Sequence, residues 1–191
     1  MNTDALFAAI DAHFLAAEAL RRAETFARHG RGVAEGWFKG EMMALLEALV
    51  KDGTVDAWRA DVPIAEDNRQ RCDFRITAGG SALWLEVKTL VQPAQASSEF
   101  GGLGKGDAPS TPAVAGLRTG FADDLVKLMR VREGERGVLL FVVPRPEPAQ
   151  WSELLAGYAR RIAPLGFEEL SAVGEYPEAL YVCKLAVREA F

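Results

Sequence analysis

Cysteine and histidine are scarce in this chain: Cys72 and Cys183, His13 and His29 are all there are. Two cysteines are too few for a disulfide framework and lack metal-ligand spacing, which excludes a stapled scaffold and a cysteine zinc module. Neither histidine stands near a Ser or Cys nucleophile motif. No apolar run reaches the ~18 residues of a membrane span. The opening Met-Asn-Thr-Asp has no basic stretch ahead of an apolar one, so no secretion signal is expected and the chain reads as soluble and cytoplasmic. Basic residues are outnumbered, 22 against 27 acidic, for a net charge of −5. That balance argues against coating nucleic acid by bulk attraction but leaves room for a local basic site.

What the chain does have is an ordinary core supply. With 49% hydrophobic and 26% charged residues over 191 positions, it is expected to form one domain, residues 1–191, without covalent staples. Of its basic residues 16 are Arg and 6 are Lys, weak evidence for phosphate clamps.

Helical spacing at Phe7, Ile10, Phe14 and Leu15 predicts a first helix over Thr3 to Arg28, within a helical N-terminal extension, residues 1–30. A second helix is expected from Val33 to Lys51, striped by Phe38, Met42, Leu45, Leu46 and Leu49 and stopped by Asp52-Gly53. Val55 to Ile64 suits an irregular strand with Pro63 at its edge or end. Two clear strands follow, Gln70 to Thr77 and Ala82 to Leu90, around a Gly79-Gly80 hairpin signal. Residues 92–116, with 5 Gly, 3 Pro and 3 Ser, are expected as a long flexible loop. A third helix over Leu117 to Val131, a doubly buried central strand over Gly137 to Val143, a helix over Ala149 to Ile162 and a strand over Leu180 to Val187 complete the reading. Alternating helices and strands make the class α/β.

The hairpin carries the chemistry. Cys72, Phe74 and Ile76 point to one face and Arg71, Asp73 and Arg75 to the other; Leu83, Leu85 and Val87 oppose Trp84, Glu86 and Lys88. With Gly79-Gly80 as a two-residue turn, paired positions sum to 159. Asp73 then lies opposite Glu86, Arg75 opposite Trp84, and Arg71 opposite Lys88. Like charges placed so are destabilising. A site for a divalent cation, by contrast, wants two carboxylates converging. The alternative is a solvated strand surface with diagonal pairs Asp73–Lys88 and Arg75–Glu86, worth about 0–1 kcal/mol each.

Asp73 followed by Glu86-Val87-Lys88 in an apolar strand resembles the PD-(D/E)xK nuclease superfamily. The resemblance spans Val33 to Val143. It implies a restriction-endonuclease-like αβββαβ core, a mixed central sheet flanked by helices, and Mg²⁺- or Mn²⁺-dependent hydrolysis of nucleic-acid phosphodiesters, DNA first among them. It makes Asp73, Glu86 and the Val87 carbonyl metal ligands, with Glu41 on the preceding helix as a further ligand. Lys88 is expected to position the attacking water, and Lys127, beside Asp124, to contact phosphate. Arg71 and Arg75 join as substrate-binding candidates. One departure is Cys72 where the motif has Pro.

The runner-up is a non-catalytic module that keeps the fold and binds nucleic acid or a protein partner, and an unrelated α/β domain is the third reading. A homodimer would suit cutting both strands of a duplex. GGLGKGD, Gly101 to Asp107, fails phosphate-loop spacing because Gly106 follows Lys105. Trp37, Trp58 and Trp151 read as core or boundary aromatics and Cys72 as core. Trp84 shares the face of Glu86 and Lys88, where it could stack on a base.

Overall fold

The Gly-Gly turn sets the geometry of the sheet. Both glycines adopt positive φ, 57° and 80°, as a tight two-residue hairpin requires. They join β2 (Arg71–Ala78) to β3 (Ser81–Val91), and the observed partners, from Ala78↔Ser81 to Phe74↔Leu85, are those of the predicted register. The computed structural model describes residues 3–16, 22, 25, 34–64, 70–91, 124, 127–143 and 181–186. Helix α1 (Thr3–Leu15) and helix α2 (Ala34–Lys51) precede the edge strand β1 (Ala57–Pro63). After the hairpin come helical residues Asp124, Lys127 and Leu128, then β4 (Glu135–Val143) and β5 (Tyr181–Ala186).

Among the described residues the sheet is five-stranded and mixed, in the order β1-β2-β3-β4-β5, with β3 and β4 parallel and the other neighbours antiparallel. The α/β class and the central place of GVLLFVV are as expected, and consecutive burial of Gly137, Val138 and Leu139 shows both faces of β4 covered. Expected features at 92–116, 117–123 and 149–162, and those at His29 and Trp151, lie outside the described residues. Among the described residues no helix is long and apolar enough to cross a membrane.

One face of the sheet meets α1 and α2. Phe14, Phe38 and Phe141 form its centre, with Phe38 stacked on Phe141 at 4.1 Å between ring centroids. Phe74, Ile76, Leu83, Leu85 and Val87 complete the core from the hairpin, and Trp37 and Trp58 pack at its margin. On the other face Val138, which pairs with Glu86, is buried outside this cluster, as are Leu128 and Val131.

Gly134, with φ of 98°, brings the turn before β4 against the start of β3; a Cβ there would meet the Ala82 carbonyl oxygen at 2.6 Å. Gly80 has open space around it despite its positive φ. Asn tolerates that conformation, so Gly80→Asn is expected to cost under about 1 kcal/mol. Gly134→Ala meets both strain and backbone, and should cost about 2–3 kcal/mol or more. Urea unfolding of the two variants checks the contrast.

Candidate active site

The site begins where strand pairing stops. Asp73 is the one residue of β2 that pairs in neither register: the β1 ladder passes from Ala60↔Phe74 to Val62↔Cys72, and the β3 ladder ends at Phe74↔Leu85. Beside it in β1, Asp61 has φ of 51°, a conformation rare for any residue but glycine. The amide of Val87, freed from the β2 ladder, donates to Asp73 Oδ2 at 2.8 Å. The Asp73 side chain thus completes the pairing that its main chain leaves open.

Around this break, acids and lysines alternate. Asp73 meets Lys39 at 2.8 Å, and Lys39 meets Glu35 at the same distance, one turn back on α2. Glu35 lies 3.8 Å from Lys88, which reaches Asp124 at 3.1 Å. Lys127 closes the series, 3.0 Å from Asp124 and 2.6 Å from Glu86. The strands supply Asp73, Glu86 and Lys88, the start of α2 supplies Glu35 and Lys39, and the helical segment before β4 supplies Asp124 and Lys127. Among the described residues no three Asp, Glu, His or Cys side chains converge as a metal cluster; the acids are interleaved with ammonium groups.

Glu86 is 1% exposed, so a solvated strand surface does not describe this face. The diagonal partners of that alternative are replaced as well: Asp73 takes Lys39 and Glu86 takes Lys127. Burial first, and then the charges of Asp73 and Asp124, push the Glu86 carboxyl up to about 8, against the pull of Lys127. Lys127 itself is raised: burial opposes its charge, but contacts with Glu86 and Asp124 outweigh that and keep it an ammonium.

Asp73, Glu86, Lys88 and Lys127 are therefore brought together, and Val87 joins them through its backbone. Glu41 is not: its carboxylate sits 3.0 Å from His13 and 3.5 Å from Arg22, on the opposite flank of the α2 stripe from Lys39. Glu35 is the helix acid that reaches the cluster. Sequence reasoning missed Glu35 and Lys39, although their i,i+4 spacing and position beside Phe38 and Met42 mark that flank. Arg71, expected opposite Lys88, lies past the end of the ladder and pairs with Asp61 of β1, Nε to Oδ2 at 2.8 Å. Arg75 stays on the acid face with its guanidinium 5.6 Å from the Trp84 ring centre. Cys72 is buried but lies outside the main hydrophobic cluster: its thiol is within hydrogen-bond reach of Glu86, and burial first and then the Glu86 charge push it up.

Comparison of this chain with family models, with curated proteins and with solved structures finds no match.

The raised Glu86 has a consequence for stability. Between the ordinary carboxyl value of 4.5 and about 8 the folded protein holds a proton that the unfolded chain has released. Its contribution therefore falls as pH rises through that window, by at most about 1.4 kcal/mol per pH unit. In EDTA, the stability of the wild type relative to Glu86→Gln should decline from pH 5 to pH 8. Denaturant melts of both proteins across that range check the sign.

Proposed function

We propose that this chain is a metal-dependent nuclease of restriction-endonuclease-like fold, hydrolysing nucleic-acid phosphodiesters, DNA first among them. The single observation that carries the reading is that Asp73, unpaired at the break in the β2–β3 ladder and held by the Val87 amide at 2.8 Å, lies near enough to buried Glu86 for its charge to raise that carboxyl. The element order supports the core assignment: a helix, three antiparallel strands, a helical segment, then a strand parallel to β3.

The donors fit a hard divalent cation. Carboxylate oxygens of Asp73 and Glu86 and the Val87 carbonyl would hold Mg²⁺ or Mn²⁺, with Glu35 the helix acid nearest to them in the ion-pair series. Such an ion, when bound, neutralises phosphodiester charge and makes a bound water more acidic. The protein's own groups do the positioning. Lys88, held by Asp124, carries an ammonium on the same strand face as Glu86, where it orients the attacking water or the phosphate. Lys39 and Lys127 hold the two acids in place, and with a cation on those acids they would offer ammonium groups to the substrate's phosphates. Arg75 borders the same face.

A second reading rests on one specific observation: Lys39 and Lys127 already occupy Asp73 and Glu86 at 2.8 and 2.6 Å. A fold that keeps its charges satisfied internally suits a binding module without catalysis.

Metal titration separates the two. At pH 7 Glu86 carries a proton that metal binding must displace, so calorimetry in buffers of different ionisation enthalpy should register release of up to about one proton per ion. Saturating Mn²⁺ should also raise the melting temperature, as a ligand specific to the folded state does. Both effects should vanish in Asp73→Asn. With linear, circular and single-stranded DNA plus Mn²⁺ or Mg²⁺, the wild type should cleave and Lys88→Ala should lose at least about 100-fold in rate. No proton release, no thermal shift and no cleavage would leave the binding module as the better account.

A further inference from the structure

At the hairpin end of β3, between its first residues and the turn before β4, lies an open cleft of about 660 Å³, whose walls include Arg75, Ser81, Trp84, Arg132 and Glu133. We infer that Trp84, with the Arg75 guanidinium beside its ring, is a nucleobase-stacking subsite that takes one base of a single-stranded segment while its backbone passes Asp73 and Glu86. The inference deepens the nuclease reading and rests on it for the direction of the strand.

Trp84 is no core aromatic. Its neighbours Leu83 and Leu85 belong to the main hydrophobic cluster, whereas Trp84 lies on the other face and stays partly exposed. Its indole is held in advance: Nε1–H donates to the Glu133 carbonyl at 3.0 Å. The turn carrying Glu133 is in turn fixed by the close approach of Gly134 to Ala82. A ring already immobilised loses little freedom when a base stacks on it. Arg75 lies over the indole at 5.6 Å, and guanidinium planes and aromatic rings such as indole are surfaces on which single-stranded bases stack.

Size, place and charge agree. The volume is in the range of small-ligand sites. Trp84 stands two residues from Glu86 on the same face of β3, about 7 Å along the strand. The rim carries both signs, Arg75 and Arg132 against Glu133 and Glu135. With two carboxylates offsetting two guanidinium groups, the cleft has no net positive charge to draw a phosphate in, and the carboxylates can accept from base N–H groups, so the base enters and the phosphates stay outside, toward the lysines.

The test uses the full chain in EDTA, where cleavage is absent, with two fluorescent probes: a short oligothymidylate and an abasic phosphodiester oligomer of equal length. Trp84→Ala should weaken the first by about 5- to 150-fold, the range for one base–aromatic stack, and leave the second unchanged. Trp84→Phe should keep most of the affinity. Equal losses for both probes, or no loss for either, would overturn the subsite. A wild type that shows no preference for the base-bearing probe would overturn it too. Should Trp84→Ala fail to fold, photocrosslinking of wild type to an iodouracil oligomer gives the same answer. Adduct mapped to Trp84 supports the subsite, and adduct found only at other residues refutes it. Cleavage without base-dependent binding sinks this inference alone. Base-dependent binding without cleavage under Mg²⁺ or Mn²⁺ sinks the nuclease reading and leaves the subsite standing.

Discussion

Everything distinctive in this structure depends on one residue being left out of its sheet. Asp73 sits in the middle of a strand yet has no ladder partner on either side. Its carboxylate occupies the gap by accepting the Val87 amide. An ordinary strand residue would spend only its main chain on pairing and leave its side chain to solvent. Here the side chain is tied to the backbone of the neighbouring strand, so the carboxylate is fixed in direction as well as in place. The left-handed conformation of Asp61 next door belongs to the same break. Strained backbone of this kind persists only where surrounding structure over-determines it.

From that fixed carboxylate the electrostatics follow. Four acids, Glu35, Asp73, Glu86 and Asp124, face three ammonium groups, Lys39, Lys88 and Lys127. With Glu86 protonated the cluster is neutral; with Glu86 ionised it carries one excess negative charge in a partly buried place. Excess charge in such a place is costly, and the raised Glu86 is how the protein avoids it. The proton on Glu86 and a bound cation are two answers to the same imbalance.

How much of this was legible in the sequence follows from which forces are local. Gly79-Gly80 dictates a turn by backbone sterics alone, and period-two alternation then sorts every side chain of β2 and β3 by face, so the hairpin and its register could be read directly. Asp73, Glu86 and Lys88 came with it. The end of the ladder was not legible, because pairing could continue on local grounds to Cys72 and Val87; only the sheet as a whole shows it stopping. Glu86 looked exposed for a related reason. Its polar face is covered by residues some forty positions later, among them Lys127. The helix acid was misassigned because the two flanks of the α2 stripe are alike in sequence, and packing against α1 decides between them by giving Glu41 to His13.

The parallel pairing of β3 with β4 has a kinetic side. The chain must travel from residue 92 to residue 134 before β4 can lie down beside β3, whereas the hairpin closes across two residues. Contacts of such different sequence separation form on different timescales, the distant ones late. Of the two acids, Asp73 has its lysine, Lys39, upstream on α2, whereas the lysine of Glu86 lies on the far side of the crossover.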